Sequence, residues 1–138
     1  MTDPADLKAK RDYLVQQLED GTFENVLLLF ESLPDYDQLL PDLAADLSIR
    51  VRSGIYRLLL EMEGRFDLRL AQVAPAMAAK LDQPEPTLRG DLCSALGLVG
   101  TMNEIEALEP LIDDPNAQVA ELASEAIDEI LERNLPGK

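Results

Sequence analysis

Reactive side chains are scarce in this sequence, and those present are poorly arranged for catalysis. There is no histidine among the 138 residues. That removes Ser-His-Asp and Cys-His nucleophiles and every zinc or iron site that draws on imidazole. Cys93 is the only cysteine, so neither a CxxC metal or redox pair nor an intrachain disulfide can form. Set among Leu92, Ala95 and Leu96, it reads as a buried structural thiol. Asp113-Asp114 and Glu61/Glu63 bring carboxylates close together, as acid–base chemistry requires. A chain with 27 acids, however, makes such pairs by chance. Gly97 and Gly100 fall at the end of a helical pattern and not in a phosphate-binding loop. The expectation is no catalytic, cofactor or metal site: a chain that binds and does not react.

Charge narrows the partner. The formal net charge is −15, from 27 acids and 12 bases. Nucleic acid is an unsuitable partner, because affinity for it comes mostly from Lys and Arg neutralising phosphates. An anionic membrane surface repels the chain, and no apolar run approaches the ~20 residues needed to cross a bilayer. The start, MTDPADLKAKRDYL, lacks the apolar stretch of a signal peptide, which predicts a cytoplasmic protein. The charge is uneven. Arg50, Arg52, Arg57, Arg65 and Arg69 make the middle weakly basic, whereas the region after Met102 is strongly acidic. A protein partner remains, with the chain itself a monomer or weak homodimer.

The elements that must position any binding surface are helices. The composition is 46 % hydrophobic, aromatics are 4 %, and Leu and Ala fill the apolar quota, which favours helix over sheet. Helical stripes run through Val51, Ile55, Leu58, Leu59 and Met62, through Leu88, Leu92, Ala95, Leu96 and Val99, and from Val119 through Ile130 to Leu131. Shorter stripes run from Tyr36 to Leu47, from Leu70 to Leu81, and from Ile105 to Ile112. Gly21, Gly64 and Gly100 mark helix ends as candidates for the left-handed cap. Asp3-Pro4 and Asp114-Pro115 mark starts, and Thr101 with Glu104 makes a capping box. The expected helices are 4–19 with 22–33, 36–47 with 49–63, 67–82 with 86–99, and 103–113 with 115–133.

The pairs recur with a period near 35: Pro41, Pro75 and Pro110 stand 34 and 35 residues apart, each inside a first helix. One internal proline costs a helix about 3 kcal/mol, so three in phase predict a shared kink in a shared unit. Ile49-Arg50-Val51-Arg52-Ser53, Thr87-Leu88-Arg89-Gly90 and Gln118-Val119-Ala120-Glu121 also align. At these residues the chain resembles the HEAT-like repeats of bacterial and archaeal proteins, the bilin-lyase type among them. The match is best over AQVAPAMAAKLDQPEPTLRGDLCSALGLVG, from Ala71 to Gly100, and extends over roughly 35–133. The resemblance implies an all-α fold: a short right-handed α-α superhelix, a HEAT-like solenoid of about four antiparallel helix pairs. Residues 1–138 would form a single domain, with 1–33 as an N-terminal capping pair and 35–133 as three repeats. It also implies an Asp-Arg ladder, Asp46 with Arg52 and Asp82 with Arg89, and Ala120 in place of the last arginine fits a terminal cap. The lack of histidine excludes the His-Glu iron site of the HEAT-repeat deoxyhypusine hydroxylases. The acidic balance argues against the DNA glycosylases built on similar repeats.

Such arrays commonly bind on the concave face made by the second helices. Carried onto this chain, that face takes Ser53, Arg57 and Leu60 with Tyr56 beside them, then Gly90, Ser94 and Gly97, then Glu121, Glu125 and Asp128. Tyr56 and Arg57 are the residue types that most often anchor interfaces. Arg57 lies beyond the ladder, and small residues at 90, 94 and 97 would admit a partner backbone. The partner-binding expectation is therefore Ser53, Tyr56, Arg57, Leu60, Gly90 and Ser94. A second candidate is Val26-Leu27-Leu28-Leu29-Phe30, apolar on every side and either covered by the N-terminal helix or free to dock. The expected function is a non-catalytic protein–protein interaction adaptor or assembly factor. The alternative is a chaperone- or lyase-like protein that handles a cofactor on a client, as the resemblance to bilin lyases implies.

Overall fold

A computed structural model describes residues 3–135 as eight α-helices, with no strand among them. Residues 1–2 and 136–138, the ends of the expected domain, lie outside the described residues. The helices are α1 (Pro4–Asp20), α2 (Phe23–Ser32), α3 (Leu40–Ala44), α4 (Ile49–Met62), α5 (Asp67–Ala78), α6 (Pro86–Val99), α7 (Ile105–Leu108) and α8 (Ala117–Asn134). Short 3₁₀ segments occupy Pro34–Leu39, Met102–Glu104 and Glu109–Asp113.

Local chemistry sets most boundaries. Asp3 accepts a hydrogen bond from the Ala5 amide at 3.2 Å and caps α1, with Pro4 in the first turn. Gly21 and Gly64 take φ of 80° and 82°, the left-handed conformation that glycine adopts without Cβ strain. Thr101 and Glu104 form the reciprocal capping box. Three expectations are corrected. Gly100 is extended, at φ −69° and ψ 154°, and is glycine for lack of room, as a Cβ would lie 2.6 Å from the Leu96 carbonyl oxygen and 2.7 Å from Ile130 Cδ1. Asp114 does not cap the last helix; α8 starts two residues later, on Asn116, whose side chain accepts from the Gln118 and Val119 amides. Nor do the three prolines share one kink. Pro75 is absorbed inside α5, whereas Pro41 and Pro110 stand at junctions between 3₁₀ and α segments, and the expected helices 36–47 and 103–113 are broken there. A proline cannot donate to the carbonyl four residues back. At Pro41 that carbonyl, Asp37 O, is served instead by the Leu40 amide.

Buried side chains from all eight helices merge into one apolar cluster. The stripes of α4, α5 and α6 are buried as their spacing predicts, with Leu96 fully enclosed. Leu47 departs from its stripe and is 87 % exposed, because α3 ends before it. In α2, Val26 and Phe30 are buried and Leu27 and Leu29 pack on the core, which leaves Leu28 exposed. The apolar run is thus mostly covered. Nine of the 14 residues of α6 are buried, because α8 lies along it, with Leu122, Ala126, Glu129 and Ile130 against Gly90, Gly97 and Gly100. Arg133 fastens the end of that contact by donating to the Gly97 and Gly100 carbonyls at 2.8 and 2.7 Å.

Arginines tie the turns, with partners other than those expected. Arg52 Nη1 donates to the carbonyls of Asp46 and Leu47 at 2.7 and 3.1 Å. Arg89 Nη1 donates to those of Gln83 and Pro84 at 2.9 and 3.1 Å. Each arginine so reaches five and six residues back, onto the turn before its own helix. The carboxylates come from elsewhere: Asp91 for Arg52, at 2.8 Å, and Asp114 for Arg89, at 2.9 and 3.0 Å. Asp46 pairs with Arg11 at 2.6 Å. Asp46 and Asp114 also accept the amide of the following cap residue, Ser48 or Asn116, at 2.9 Å. The position corresponding to them before α6 is Gln83, which has no charge, and Asp82 is one residue out of register. The pairing of Asp82 with Arg89 fails because the Arg89 guanidinium is already taken by Asp114 and the two turn carbonyls.

Candidate functional site

The exposed side of α4 carries Ile49, Arg50, Ser53, Tyr56, Arg57 and Leu60 in a continuous stripe. Of the expected binding residues, Ser53, Tyr56 and Ser94 come together. With Arg52 and Asp91 they line an open cleft of about 350 Å³ between α4 and α6. Its floor is the Arg52 guanidinium, 3 % exposed and held by Asp91 and the two turn carbonyls. Leu60 lies one turn beyond Tyr56 and is 47 % exposed. Hydroxyls, one aromatic ring and a neutralised ion pair can bind a polar or amphipathic side chain. They include no nucleophile–base pair.

Gly90 is not part of that surface. It is buried, and a Cβ there would meet Leu122 Cδ1 at 3.0 Å. Gly97 likewise faces Glu129 Oε1 at 3.0 Å and Ala126 Cα at 3.3 Å. Gly90 and Gly97 admit α8, and the space expected there for a partner backbone is filled. Arg57 is free of the turn-binding arginines, as its position predicts, but not of contacts. Its guanidinium stacks over Phe23 at 4.0 Å and stands 3.6 Å from a Glu24 carboxylate oxygen.

Burial, with help from the Glu129 and Glu63 carboxylates, pushes the Tyr56 phenol above its ordinary range, so its hydroxyl stays a donor at neutral pH. Burial also raises the Glu129 carboxyl, with Glu63 and Glu125 adding repulsion and Arg133 opposing. Cys93 is pushed up to about 12, chiefly by burial, and is an inert thiol at neutral pH. Among the described residues no group of three or more Cys, Asp or Glu is gathered to hold a metal ion, and no helix is long and apolar enough to cross a membrane.

Sequence reasoning missed Asp91, and it assigned Arg52 to a ladder with Asp46 and not to the floor of a cleft. No local signal marks either residue, since their meeting depends on how α4 and α6 pack. No protein-family model, curated protein or solved structure matches this chain.

Proposed function

We propose that the chain is a HEAT-like helical-repeat protein, a short right-handed α-α superhelix of about four helix pairs. It acts as a non-catalytic adaptor or assembly factor that binds a protein partner along α4. The repeat reading is supported by the recurrence of one arrangement at Arg52 and Arg89 and of another at Asp46 and Asp114. A cytoplasmic location, a monomeric or weakly dimeric state and the lack of a bound cofactor belong to the same proposal. The observation that carries the function is the α4 stripe. Tyr56, Leu60 and Ile49 keep between 37 % and 61 % of their surface exposed, beside the cleft over Arg52. Apolar residues exposed along a single helix face, with an amphipathic ring at the centre, are what an interface core requires.

The test is site-specific photo-crosslinking in cells, with the reactive residue at Leu60 and, as a control, at Ala76 on the exposed side of α5. The crosslinked partner is then purified and titrated against the parent and Tyr56→Ala. Arg57 is left intact, because its stacking on Phe23 would confuse folding with binding. Capture is expected from Leu60 and not from Ala76. Tyr56→Ala is expected to cost about 2 kcal/mol, roughly thirty-fold in affinity. Lysines at Glu125 and Asp128 should be tolerated as changes to a solvated acidic face. Capture from Ala76 alone, or a partner that ignores Tyr56→Ala but is lost with the Glu125/Asp128 reversal, would move the interface off α4.

A further inference from the structure

A second cleft opens on the other side of the same helix. It has a volume of about 330 Å³ and is lined by Leu18 and Phe23 below, Ile49 and Gly54 at the side, and Arg50 and Arg57 at the rim. Gly54 lets α1 approach, since a Cβ there would lie 2.5 Å from Leu18 Cδ2. The cleft over Arg52 has Asp91 in its wall, and the one beside Arg89 has Asp82 and Asp114. The lining of this one holds two cations and no acid, and the nearest carboxylate to Arg57 is the exposed Glu24, at 3.6 Å.

Among the described residues the two arginines also make the weakest polar contacts of any cation, although Arg57 stacks on Phe23. Among the described residues every other lysine and arginine meets a carboxylate or a backbone carbonyl at 3.1 Å or less, whereas Arg57 meets Glu24 only at 3.6 Å. Arg50 is exposed and has no hydrogen bond or ion pair within the described residues. On a chain of net charge −15, a basic partner would find carboxylates over most of the surface and no reason to choose one place. An acidic partner is repelled nearly everywhere, and this rim is where it can pair. At physiological ionic strength charges beyond about 8 Å are largely screened, so the local pair of arginines decides. Complementarity of this kind sets specificity and register.

We propose that this cleft seats an acidic amphipathic helix of the partner, with an apolar side chain on Leu18, Phe23 and Ile49 and carboxylates on Arg50 and Arg57. The inference rests on the reading of α4 as the docking helix and names the chemistry of what docks. Arg50 and Arg57 stand two turns apart, about 10 Å along the axis. A helical ligand matches that distance with acids about seven positions apart and apolar residues at the third or fourth position between them. A second copy of α8 does not fit. Its acids at this spacing, Glu121 with Asp128 and Glu125 with Glu132, have Ser124 and Glu125, or Asp128 and Glu129, at the third and fourth positions between them, where the cleft needs apolar residues.

The experiment is titration of the full chain with a fluorescent, helix-forming peptide that carries two glutamates at that spacing around two leucines. Control peptides replace the glutamates by glutamine or the leucines by alanine, and a single-stranded oligonucleotide serves as a separate probe. The parent is expected to bind the acidic peptide. Arg50→Glu, at an exposed position with no hydrogen bond or ion pair among the described residues, should weaken it at least about tenfold, as should either change to the peptide. Arg65→Glu, away from the cleft, should not. No binding of the acidic peptide, equal binding by Arg50→Glu, or binding of the oligonucleotide in its place overturns the proposal. The photo-crosslinking partner keeps the two readings apart. If it is captured from Leu60 through a segment lacking this acid spacing, α4 remains the docking helix and the acidic-helix inference fails.

Discussion

Gly100→Ala separates two reasons for a glycine at a helix end. Sequence logic treats Gly21, Gly64 and Gly100 alike, yet only the first two need a left-handed backbone. At Gly100 any residue could adopt the φ of −69°, and the obstacle is space. The new Cβ would sit 2.6 Å from the Leu96 carbonyl oxygen, which is part of the backbone and also accepts the Gly100 amide at 2.7 Å. It would sit 2.7 Å from Ile130 Cδ1, which can swing aside only into the α6–α8 contact. Overpacking of this kind costs about 1–3 kcal/mol, and a backbone obstacle puts the site toward the upper end. Stiffening the unfolded chain returns about 0.4–1 kcal/mol, which leaves a loss of about 2 kcal/mol. For 138 residues the unfolding entropy is about 0.29 kcal/mol/K, so Tm should fall by about 7 °C. At Gly21 no atom lies within 4 Å of the added Cβ, and Gly21→Ala pays only the left-handed penalty, about 1 kcal/mol net. Asparagine discriminates further. It tolerates the left-handed region, so Gly21→Asn should be milder than Gly21→Ala, whereas Gly100→Asn should be worse than Gly100→Ala. Chemical denaturation monitored by circular dichroism gives all four values. If asparagine is milder than alanine at Gly100, the crowding argument is wrong and the position is constrained by its backbone conformation.

Two further outcomes concern the core and the titration of α8. Leu96→Ala should cost about 2–5 kcal/mol, because the side chain is fully enclosed on α6 and truncation leaves a cavity; a loss below about 0.5 kcal/mol in denaturant melts would show that the site collapses or that the stripe is mis-phased. Burial raises the folded-state Glu129 carboxyl above its unfolded value, so the stability it contributes is present at low pH and is lost as pH rises through the folded value. Glu129→Gln should therefore match the parent below about pH 4 and exceed it at neutral pH, and equal melting temperatures at pH 7 would refute the shift.

The helices and the buried stripes were legible because their causes are local. Val51, Ile55, Leu58, Leu59 and Met62 share a face through the helical period alone, and Asp3, Gly21, Gly64 and the Thr101–Glu104 box act within a few residues of themselves. That Ser53, Tyr56 and Ser94 stand clear of the apolar stripes was legible for a related reason, since a helix whose apolar face is known has a known opposite face. What lies across from that face is not encoded in any one helix. Arg52 meets Asp91 and Phe23 lies under Arg57, although 39 and 34 residues separate them in the chain. Whether the small residues of α6 receive a partner or a neighbour depended on where α8 came to rest, and α8 filled the space beside Gly90 and Gly97. Asp82 lost its expected arginine for the same reason, since Arg89 is taken by Asp114, 25 residues on, which only packing brings within reach. Period and capping are properties of a segment and can be read from it, whereas clefts, ion-pair partners and crowded glycines belong to pairs of segments and exist only once the helices have packed.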